Sequence, residues 1–394
     1  MALSPMMTKY LETKEEYPDC ILFYRLGDFY EMFFEDAQVV SKELELTLTG
    51  KDCGLEERAP MCGVPFHAAD NYLNRLVMKG YKVAIAEQVE DPKTAKGLVK
   101  REVIRVVTPG TLTSSQALTE DQNNYLLGIF YVDEGFGLAA CDISTGDFFA
   151  TEAGTRRELL DALQQYRPSE ILCNQAFSMS GFSLEDMKGD FSGVISPLPP
   201  DYFREEEAKT LLLDHFHLHS PEGLGLGEFP NALIACGAVL RYVYDTQKSS
   251  CSQITALTTY KSGDYMLLDA ASRRNLELVE TLREKKKRGS LLGILDKTNT
   301  AMGARTLRSY LEQPLLNPEK IRERLDAVEE LFNRYIDREE LREYLHPIYD
   351  LERLMGRVSA KQANTRDLTA LSQSMKMTAP IKELLKSFKA PLHQ

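Results

Sequence analysis

The sequence lacks any apolar run that approaches the roughly eighteen residues needed to span a bilayer. Its opening stretch, Met1 to Met7, also lacks the charged-then-apolar layout of a signal peptide. Neither a membrane span nor a secretory route is therefore indicated. We expect a cytoplasmic protein with no membrane partner.

Paired cysteines are absent as well. The seven cysteines are scattered, and none forms a C-x-x-C pair, so neither a zinc site nor a disulfide framework is indicated. His215, His217 and His219 are spaced by two, and on a strand they would share a face able to hold a metal. Only Asp214 lies near enough in sequence to add a ligand. We therefore favour a polar face of a short segment and expect no metal.

A phosphate-binding loop is missing too. No G-x-x-x-x-G-K-[ST] stretch occurs, and the one Gly-Lys pair, Gly50-Lys51, is followed by Asp52. We therefore expect that this chain is not an enzyme that binds or hydrolyses ATP, and that it needs no cofactor.

The composition is that of a globular protein with two or three domains: 394 residues, 43% hydrophobic and 27% charged. The formal net charge of -12 argues against a general polyanion binder, whose domain would usually be basic. Net charge is a weak guide in a multidomain chain, so a clamp that touches a polyanion through a few basic loops is not excluded.

Residues 1–111 are predicted to form a compact α/β domain, because helical and strand-like periodicities alternate along them. The predicted elements are helices over Met6–Glu16, Asp36–Leu46 and His67–Lys79, and strands within 21–33, Tyr81–Val89 and Glu102–Val107. Residues 112–124 are polar and show no periodicity, which is typical of a linker.

Residues 125–230 begin with the pattern of three antiparallel strands, a helix and a strand. The predicted elements are strands over Tyr125–Asp133, Gly137–Ile143, Asp147–Thr151 and Glu170–Cys173, and a helix over Arg156–Tyr166. By analogy with that order alone, we predict a ribonuclease-H-like α/β domain.

Residues 231–394 are predicted to be all helical, from apolar residues at three- and four-residue spacing. The predicted helices are Asn231–Gln247, Tyr265–Lys287, Leu291–Leu311, Pro318–Ile336 and Arg366–Lys389. Such helices resemble struts more than a catalytic scaffold. The last one leaves apolar faces without obvious partners, so we expect an incomplete domain from a longer protein.

The most informative motif is Gly27-Asp28-Phe29-Tyr30-Glu31-Met32-Phe33, which follows an apolar stretch. Alternation along a strand puts Phe29 and Glu31 on one face and Tyr30 on the other. An exposed ring beside a carboxylate can wedge into a base stack and test a base edge. By burial statistics alone, an aromatic residue in an apolar strand is more often part of a core.

Several stretches of the chain resemble the MutS family of mismatch-recognition proteins, in the family's order. The matching stretches are Gly27–Phe33, Pro60–Ala68, Val83–Gln88, Arg105–Thr111, Asp142–Gly146, Leu268–Glu277 and Met302–Arg305. The resemblance implies a mismatch-binding domain over 1–111, a connector domain over 125–230 and the start of a lever domain over 231–394.

For the site, the resemblance implies that Phe29 stacks on a mispaired base and that Glu31 hydrogen-bonds it. It also implies double-stranded DNA with mismatches or small loops as the ligand, MutL as a partner of the connector, and a bacterial, nucleoid-associated location. The family's homodimer contacts and its ATPase domain, with ATP and magnesium, would lie beyond Gln394.

The carboxylate of Glu31 carries a constraint of its own. A purine N7 only accepts hydrogen bonds, so a carboxylate that faces N7 must carry a proton, whereas one that faces a thymine N3–H can stay ionised. Our hypothesis is that Glu31 changes protonation with the lesion that it meets.

Basic residues in or near loops of the first domain are candidates for phosphate contacts, which position a protein without specifying sequence. The candidates are Lys51, Arg58, Lys79, Lys96, Lys100 and Arg105. We expect most of them to be solvated surface charges without a DNA contact. Among the candidates for a phosphate contact, we rank Arg105 and Arg58 first. The densest basic run, Arg283–Arg288, is expected to be a solvated helix end.

Two alternatives remain open. In a metal-dependent nuclease of ribonuclease-H-like fold, Asp142 and Glu170 would be the first metal-binding carboxylates, but no third one is well placed. A protein-docking module for MutL is the other, and it is compatible with DNA binding.

Overall fold

The computed structural model describes residues 3–54, 56–90, 97, 99–181 and 193–393. Its contacts divide the chain into two compact units, the first formed by Met1–Leu118 with Tyr242–Ser250 and the second by Thr119–Arg241 with Cys251–Gln394. The mixed α/β character predicted for the amino-terminal part and the helical character predicted for the carboxyl-terminal part are both present. The exact domain boundaries stay predictions.

The first unit is built on a six-stranded sheet of order β3-β4-β2-β1-β5-β6. Its strands are β1 Cys20–Leu26, β2 Phe29–Phe33, β3 Thr49–Lys51, β4 Ala59–Pro65, β5 Lys82–Gln88 and β6 Arg101–Val107. Its helices are α1 Pro5–Glu16, α2 Phe34–Leu44 and α3 Ala69–Met78. The strand predicted within 21–33 is in fact a hairpin, because Gly27 and Asp28 form the turn between β1 and β2.

The two faces of this sheet carry separate hydrophobic cores. Tyr30 and Met32 of β2 point to one face, where α2 and α3 pack. Phe33 points to the other face, where Met7 and Tyr10 of α1 pack. The alternation predicted for β2 is thereby confirmed, since Phe29, Glu31 and Phe33 share a face that Tyr30 does not.

The polar segment 112–124 is attached along its length. Leu112 belongs to the core beneath α2 and α3, and Leu118 packs against that core. From Thr119 onwards the attachments are to the second unit, where backbone carbonyl oxygens accept hydrogen bonds from buried arginines. The segment is therefore polar in composition, yet its residues have partners within the unit to which each belongs.

The second unit contains another six-stranded sheet, of order β11-β10-β7-β8-β9-β12. Its strands are β7 Leu126–Val132, β8 Gly135–Asp142, β9 Asp147–Ala153, β10 Glu170–Cys173, β11 Val194–Pro197 and β12 Thr258–Thr259. The first three strands are antiparallel neighbours, whereas β10 pairs in parallel with β7 and β11 in parallel with β10. The predicted order of three strands, a helix and a strand is present.

Helices cover this sheet and make up the carboxyl-terminal part. They are α4 Arg156–Tyr166, α5 Gln175–Met179, α6 Glu205–Phe216, α7 Pro230–Gln247, α8 Ala270–Asn275, α9 Leu291–Leu295, α10 Ala301–Glu312, α11 Pro318–Asn333, α12 Tyr335–Leu345, α13 Leu351–Ser359 and α14 Thr365–Leu385. None of the helices within the described residues combines the length and apolar character that crossing a bilayer requires.

Two of the four long helices predicted after residue 264 are wrong in their extent, whereas the predictions over Pro318–Ile336 and Arg366–Lys389 correspond closely to α11 and α14. The prediction over Tyr265–Lys287 yields only α8, because Glu277 and Lys285 adopt left-handed backbone angles, with φ of 48° and 52°. The prediction over Leu291–Leu311 is interrupted after α9, where the Asp296 carboxylate accepts hydrogen bonds from Thr298. A new helix then begins behind the Thr300 cap.

Buried arginines organise the helical part. Arg305 of α10 is only 5% exposed, and its guanidinium reaches both carboxylate oxygens of Asp350 at 2.7 and 2.8 Å. It also donates to Glu352 at 2.6 Å and to the backbone oxygen of Glu120 at 2.9 Å. Arg353 of α13 donates to two more carbonyl oxygens within the 119–122 stretch. These contacts fix that stretch onto α10 and α13.

Candidate nucleic-acid interface

A tight hairpin places Phe29 at the tip of the first sheet. Leu26 ends β1 directly opposite Phe29, which begins β2. Gly27, the first of the two residues between them, has φ of 59°, a left-handed conformation that glycine adopts without steric cost. Because β2 begins directly after this turn, Phe29 lies at the end of the sheet.

The Phe29 ring stands outside the core. It is 46% exposed, whereas Phe33 on the same face is 1% exposed. The difference follows from the position of α1: the Tyr10 ring packs edge-on to Phe33 at 4.9 Å between centroids. Phe29 lies four residues along the strand, roughly 13 Å from Phe33. The ring therefore has the exposure that stacking on a base would require, although burial statistics alone favoured a core position.

Glu31 lies between these two rings on the same face, and its carboxylate is ion-paired with the ammonium of Lys51. The Glu31 and Lys51 side chains are 16% and 32% exposed, so the ion pair is partly shielded from solvent. Lys51 comes from the edge strand β3, and its ammonium lies 5.6 Å from the centroid of the Phe33 ring. The structure thus joins two residues that the sequence assigned to separate roles.

Two other basic candidates are exposed in the same unit. Arg58 lies next to the start of β4, with its Cβ packed toward Gly50. Lys100 precedes β6 at the same end of the sheet as Phe29 and forms an exposed ion pair with Glu102 at 2.5 Å. Exposed pairs of this kind contribute little, typically about 0–1 kcal/mol, so the lysine is free to exchange partners.

The structure does not bring Arg105 or Lys79 together with Phe29. Arg105 lies opposite Ile85, whose side chain belongs to the core on the other face of the sheet. Burial there lowers the pKa of the Arg105 guanidinium, although the charge of Asp70 opposes the shift. Lys79 follows α3 at the far end of the sheet and pairs with Glu43 at 2.7 Å. Lys96 lies outside the described residues.

One basic residue near the site was missed by sequence reasoning. Arg101, which begins β6, places its guanidinium 5.3 Å from the Tyr24 ring centroid and donates to the backbone oxygen of Arg25 at 2.6 Å. Tyr24 lies directly opposite Glu31. The only signal in the sequence that could have pointed to Arg101 as a site residue is its position next to the candidate Lys100, and that signal is weak.

The geometry does not support the nuclease alternative. Asp142 is fully buried, and its oxygens accept hydrogen bonds from Asn123, Asn124 and Ser144 at 2.7 to 3.0 Å. Glu170 is also fully buried and accepts from Ser196 at 2.8 Å. Carboxylates committed to internal donors and shielded from solvent are not open to a catalytic metal.

A metal site at His215, His217 and His219 would require the three histidines to share one face of a strand. The structure does not place them on a strand. His215 is in α6 and its Nε2 lies 2.7 Å from the backbone oxygen of Ile254, while burial lowers the pKa of its ring. His217 ends that helix in a left-handed conformation. Within the residues that the structure describes, no group of three or more His, Cys, Asp or Glu side chains is arranged to hold a metal ion.

The basic run Arg283–Arg288 is not the helix end that we predicted. Its residues follow α8 in turns, and its three lysines form ion pairs with acidic residues. The partners are Glu280 for Lys285, Glu284 for Lys286, and both Asp121 and Asp296 for Lys287. Lys287 therefore holds the 119–122 stretch together with the buried arginines.

Comparison with known proteins gives one consistent result over the chain. Family models for MutS domain I, domain II and domain III match residues 4–116, 124–255 and 271–394. A relative named DNA mismatch repair protein MutS, from Lachnoclostridium phytofermentans, is 57% identical over 99% of this chain and 42% of its own length. Relatives of the same name from Ruminiclostridium cellulolyticum and Acetivibrio thermocellus are 53% and 50% identical over 98% and 100% of this chain. The chain spans less than half the length of these relatives, 42% to 45%.

Proposed function

The chain belongs to the MutS family, and from that premise we propose that its first unit recognises mispaired or unpaired bases in double-stranded DNA to initiate mismatch repair. Phe29 acts as the wedge and Glu31 as the hydrogen-bonding group. The observation that carries this proposal is the exposure of the Phe29 ring, 46%, on a strand whose other aromatic residues are buried.

The energetics favour faulty sites over intact duplex. Inserting an apolar side chain between base steps costs about a few kcal/mol of unstacking, and less where pairing is already weak. Stacking a base on the Phe29 ring returns about 1–3 kcal/mol. The two terms nearly cancel on intact DNA, so the smaller cost at a mismatch decides where the protein binds.

The Glu31 carboxylate adds specificity at a base edge. It offers only acceptors when ionised and one donor when protonated. An ionised carboxylate is also repelled by phosphates on any duplex, and the repulsion is repaid only where an unpaired edge is available to it. This supports a role in discrimination beyond affinity.

Glu31→Gln is expected to raise affinity for matched duplex and to lower the preference for a G·T mismatch about fivefold, because the neutral amide removes the repulsion while keeping a donor. Fluorescence anisotropy with both duplexes at one fixed salt concentration and neutral pH measures the two affinities. Glutamine that weakens binding to purine-containing mismatches and to intact duplex alike would show that lesion-dependent protonation of Glu31 is wrong.

Phosphate contacts form the second layer of the proposed interface. Lys100 is supported by its exposure and by its place at the Phe29 end of the sheet. Arg58 is exposed, but it precedes β4 at the end away from Pro65, the residue opposite Phe29, so only its exposure supports it. Lys51 is supported by proximity to Glu31. For Arg105 and Lys79 the orientations described above give no support. Lys96 stays a prediction from sequence.

For the second unit we propose a ribonuclease-H-like connector followed by the start of a lever. Supporting this are the sheet order with β7 at its centre, antiparallel β8 and β9 on one side, and parallel β10 and β11 on the other. The helices from α8 onwards would form the lever. The connector would be the docking site for MutL.

We propose that the remaining properties of the family belong to a longer protein. A DNA-dependent ATPase with bound ATP and magnesium, and the main homodimer contacts, would belong to sequence outside these 394 residues. The chain itself is proposed to be a non-enzymatic recognition part that acts in the bacterial cytoplasm at the nucleoid. Mismatch-selective binding by this chain without added nucleotide is the direct test.

A further inference from the structure

Lys51 was assigned to a phosphate contact, but its ammonium is already bound to Glu31. We propose that Lys51 is a positioning residue for Glu31: it holds the carboxylate at the site and offsets its charge, and so affects mismatch discrimination through Glu31. This inference rests on the proposed function of Phe29 and Glu31.

The path from Lys51 to Glu31 is shaped by its surroundings. Lys51 lies on β3 and Glu31 on β2, with β4 between them. The residue of β4 opposite Glu31 is Gly63, and a Cβ at that position would lie 3.3 Å from the Tyr30 backbone oxygen and 3.5 Å from Glu31 Cγ. The absence of a side chain on the intervening strand keeps the carboxylate accessible from β3.

The lysine ammonium has a second neighbour, the Phe33 ring. The ammonium lies 5.6 Å from the centroid of that ring, within the range of a cation–π contact. Phe33 is itself 1% exposed and fixed by Tyr10. The ammonium is therefore placed by a buried ring on one side and by a carboxylate on the other, which is more restraint than a solvated phosphate-binding lysine has.

The electrostatic consequence concerns DNA. A lone carboxylate beside the wedge would repel phosphates on every duplex. The Lys51 ammonium offsets part of that charge, and a carboxylate held by an ion pair has fewer orientations to lose when it engages a base edge. Without Lys51, both duplexes would meet a stronger repulsion from Glu31, and the carboxylate would also be less ordered. The loss of order counts only at a mismatch, where Glu31 engages a base edge, and we expect it to outweigh the added repulsion there.

A double-mutant cycle tests this assignment. With Glu31 present, Lys51→Gln is expected to lower affinity for a G·T duplex about tenfold and for its matched parent about twofold, a coupling typical of contacting residues. In a Glu31→Gln background, the same change should alter both affinities by less than about twofold. Anisotropy at one fixed salt concentration, on the 394-residue chain, gives all eight affinities.

Three variants control the cycle. Lys51→Arg keeps the charge and should retain most of the discrimination. Lys51→Met keeps the apolar stem along Phe33 and should behave as Lys51→Gln, which separates loss of the charge from loss of packing. Lys79→Gln removes a lysine at the far end of the sheet and should leave the ratio of the two affinities unchanged. Thermal unfolding by circular dichroism identifies any variant that does not fold.

The outcomes separate the two proposals. If Lys51→Gln weakens both duplexes by one factor, whether residue 31 is Glu or Gln, Lys51 is an independent phosphate contact and the assignment is overturned. No effect at all would overturn it equally. A wild-type chain that does not prefer G·T over matched DNA would instead contradict the proposed function itself.

Discussion

Phe29→Ala is expected to abolish the preference for mismatched DNA. The change removes the ring that returns about 1–3 kcal/mol on stacking, so affinity for a G·T duplex should fall about 5- to 150-fold. Matched duplex, into which the wedge inserts at little net gain, should lose much less. Because the ring is 46% exposed, its removal leaves no large cavity and the fold should be retained.

Phe66→Ala provides the matched control. Phe66 is exposed to a similar degree, 43%, and follows Pro65, the residue that lies opposite Phe29 on β4. The Arg25 guanidinium lies 3.9 Å from its ring centroid and so occupies one face of the ring, which leaves Phe66 less suited than Phe29 to enter a base stack. Anisotropy with both duplexes should show the loss only for Phe29→Ala. Equal losses for the two variants would mean that exposed aromatic area, and not a wedge, accounts for binding.

Arg305→Ala should cause the largest loss of stability among the changes considered. It removes one partner of a buried ion pair, so the Asp350 carboxylate loses the two hydrogen bonds that Arg305 donates and the Glu120 carbonyl oxygen loses its donor. Breaking such a pair costs about 3–5 kcal/mol. Urea unfolding followed by circular dichroism measures the change in the free energy of unfolding.

The pH dependence of that loss has a definite sign. Burial acts to raise the pKa of Asp350, but the hydrogen bonds and charge of Arg305 outweigh it and hold the pKa below its ordinary value. A carboxyl group with a lowered pKa in the folded state contributes stability above its unfolded pKa, about 4, and loses it as the pH falls through the folded value. The difference between wild type and Arg305→Ala should therefore shrink in acid.

Arg322→Ala is the control for this experiment. Arg322 lies on α11 with its side chain exposed, and its removal should change the free energy of unfolding by less than about 0.5 kcal/mol. An Arg305→Ala variant as stable as Arg322→Ala would contradict the role given to the buried cluster.

The face that Phe29 occupies could be predicted from the sequence, because it depends only on alternation along a short strand. The exposure of the Phe29 ring could not be predicted in this way, because it depends on α1 packing over Phe33 and not reaching Phe29. The Glu31–Lys51 contact was missed for a similar reason. Those residues are twenty positions apart, and they meet only because β3 and β2 flank β4.

The helical part was predicted less well, for local reasons. Periodicity continues through Asp296–Thr300, yet the Asp296 and Thr300 side chains bond to the backbone and divide the helix. The start of α13 was missed although Asp350 caps it, a signal that can be read from sequence. Left-handed residues such as Glu277 leave no such signal, because glutamate is ordinarily a good helix former.

The attachment of residues 112–124 sets where the protein can be divided for expression. A truncation that begins the second unit at residue 125 would discard Thr119 and Gln122, whose carbonyl oxygens the Arg353 guanidinium contacts at 2.8 and 2.5 Å. The Arg353 guanidinium would then lose two of its hydrogen-bond acceptors, and the shortened piece should be less stable to unfolding than one that keeps them. A gene fragment that starts at Thr119 keeps every one of those carbonyls.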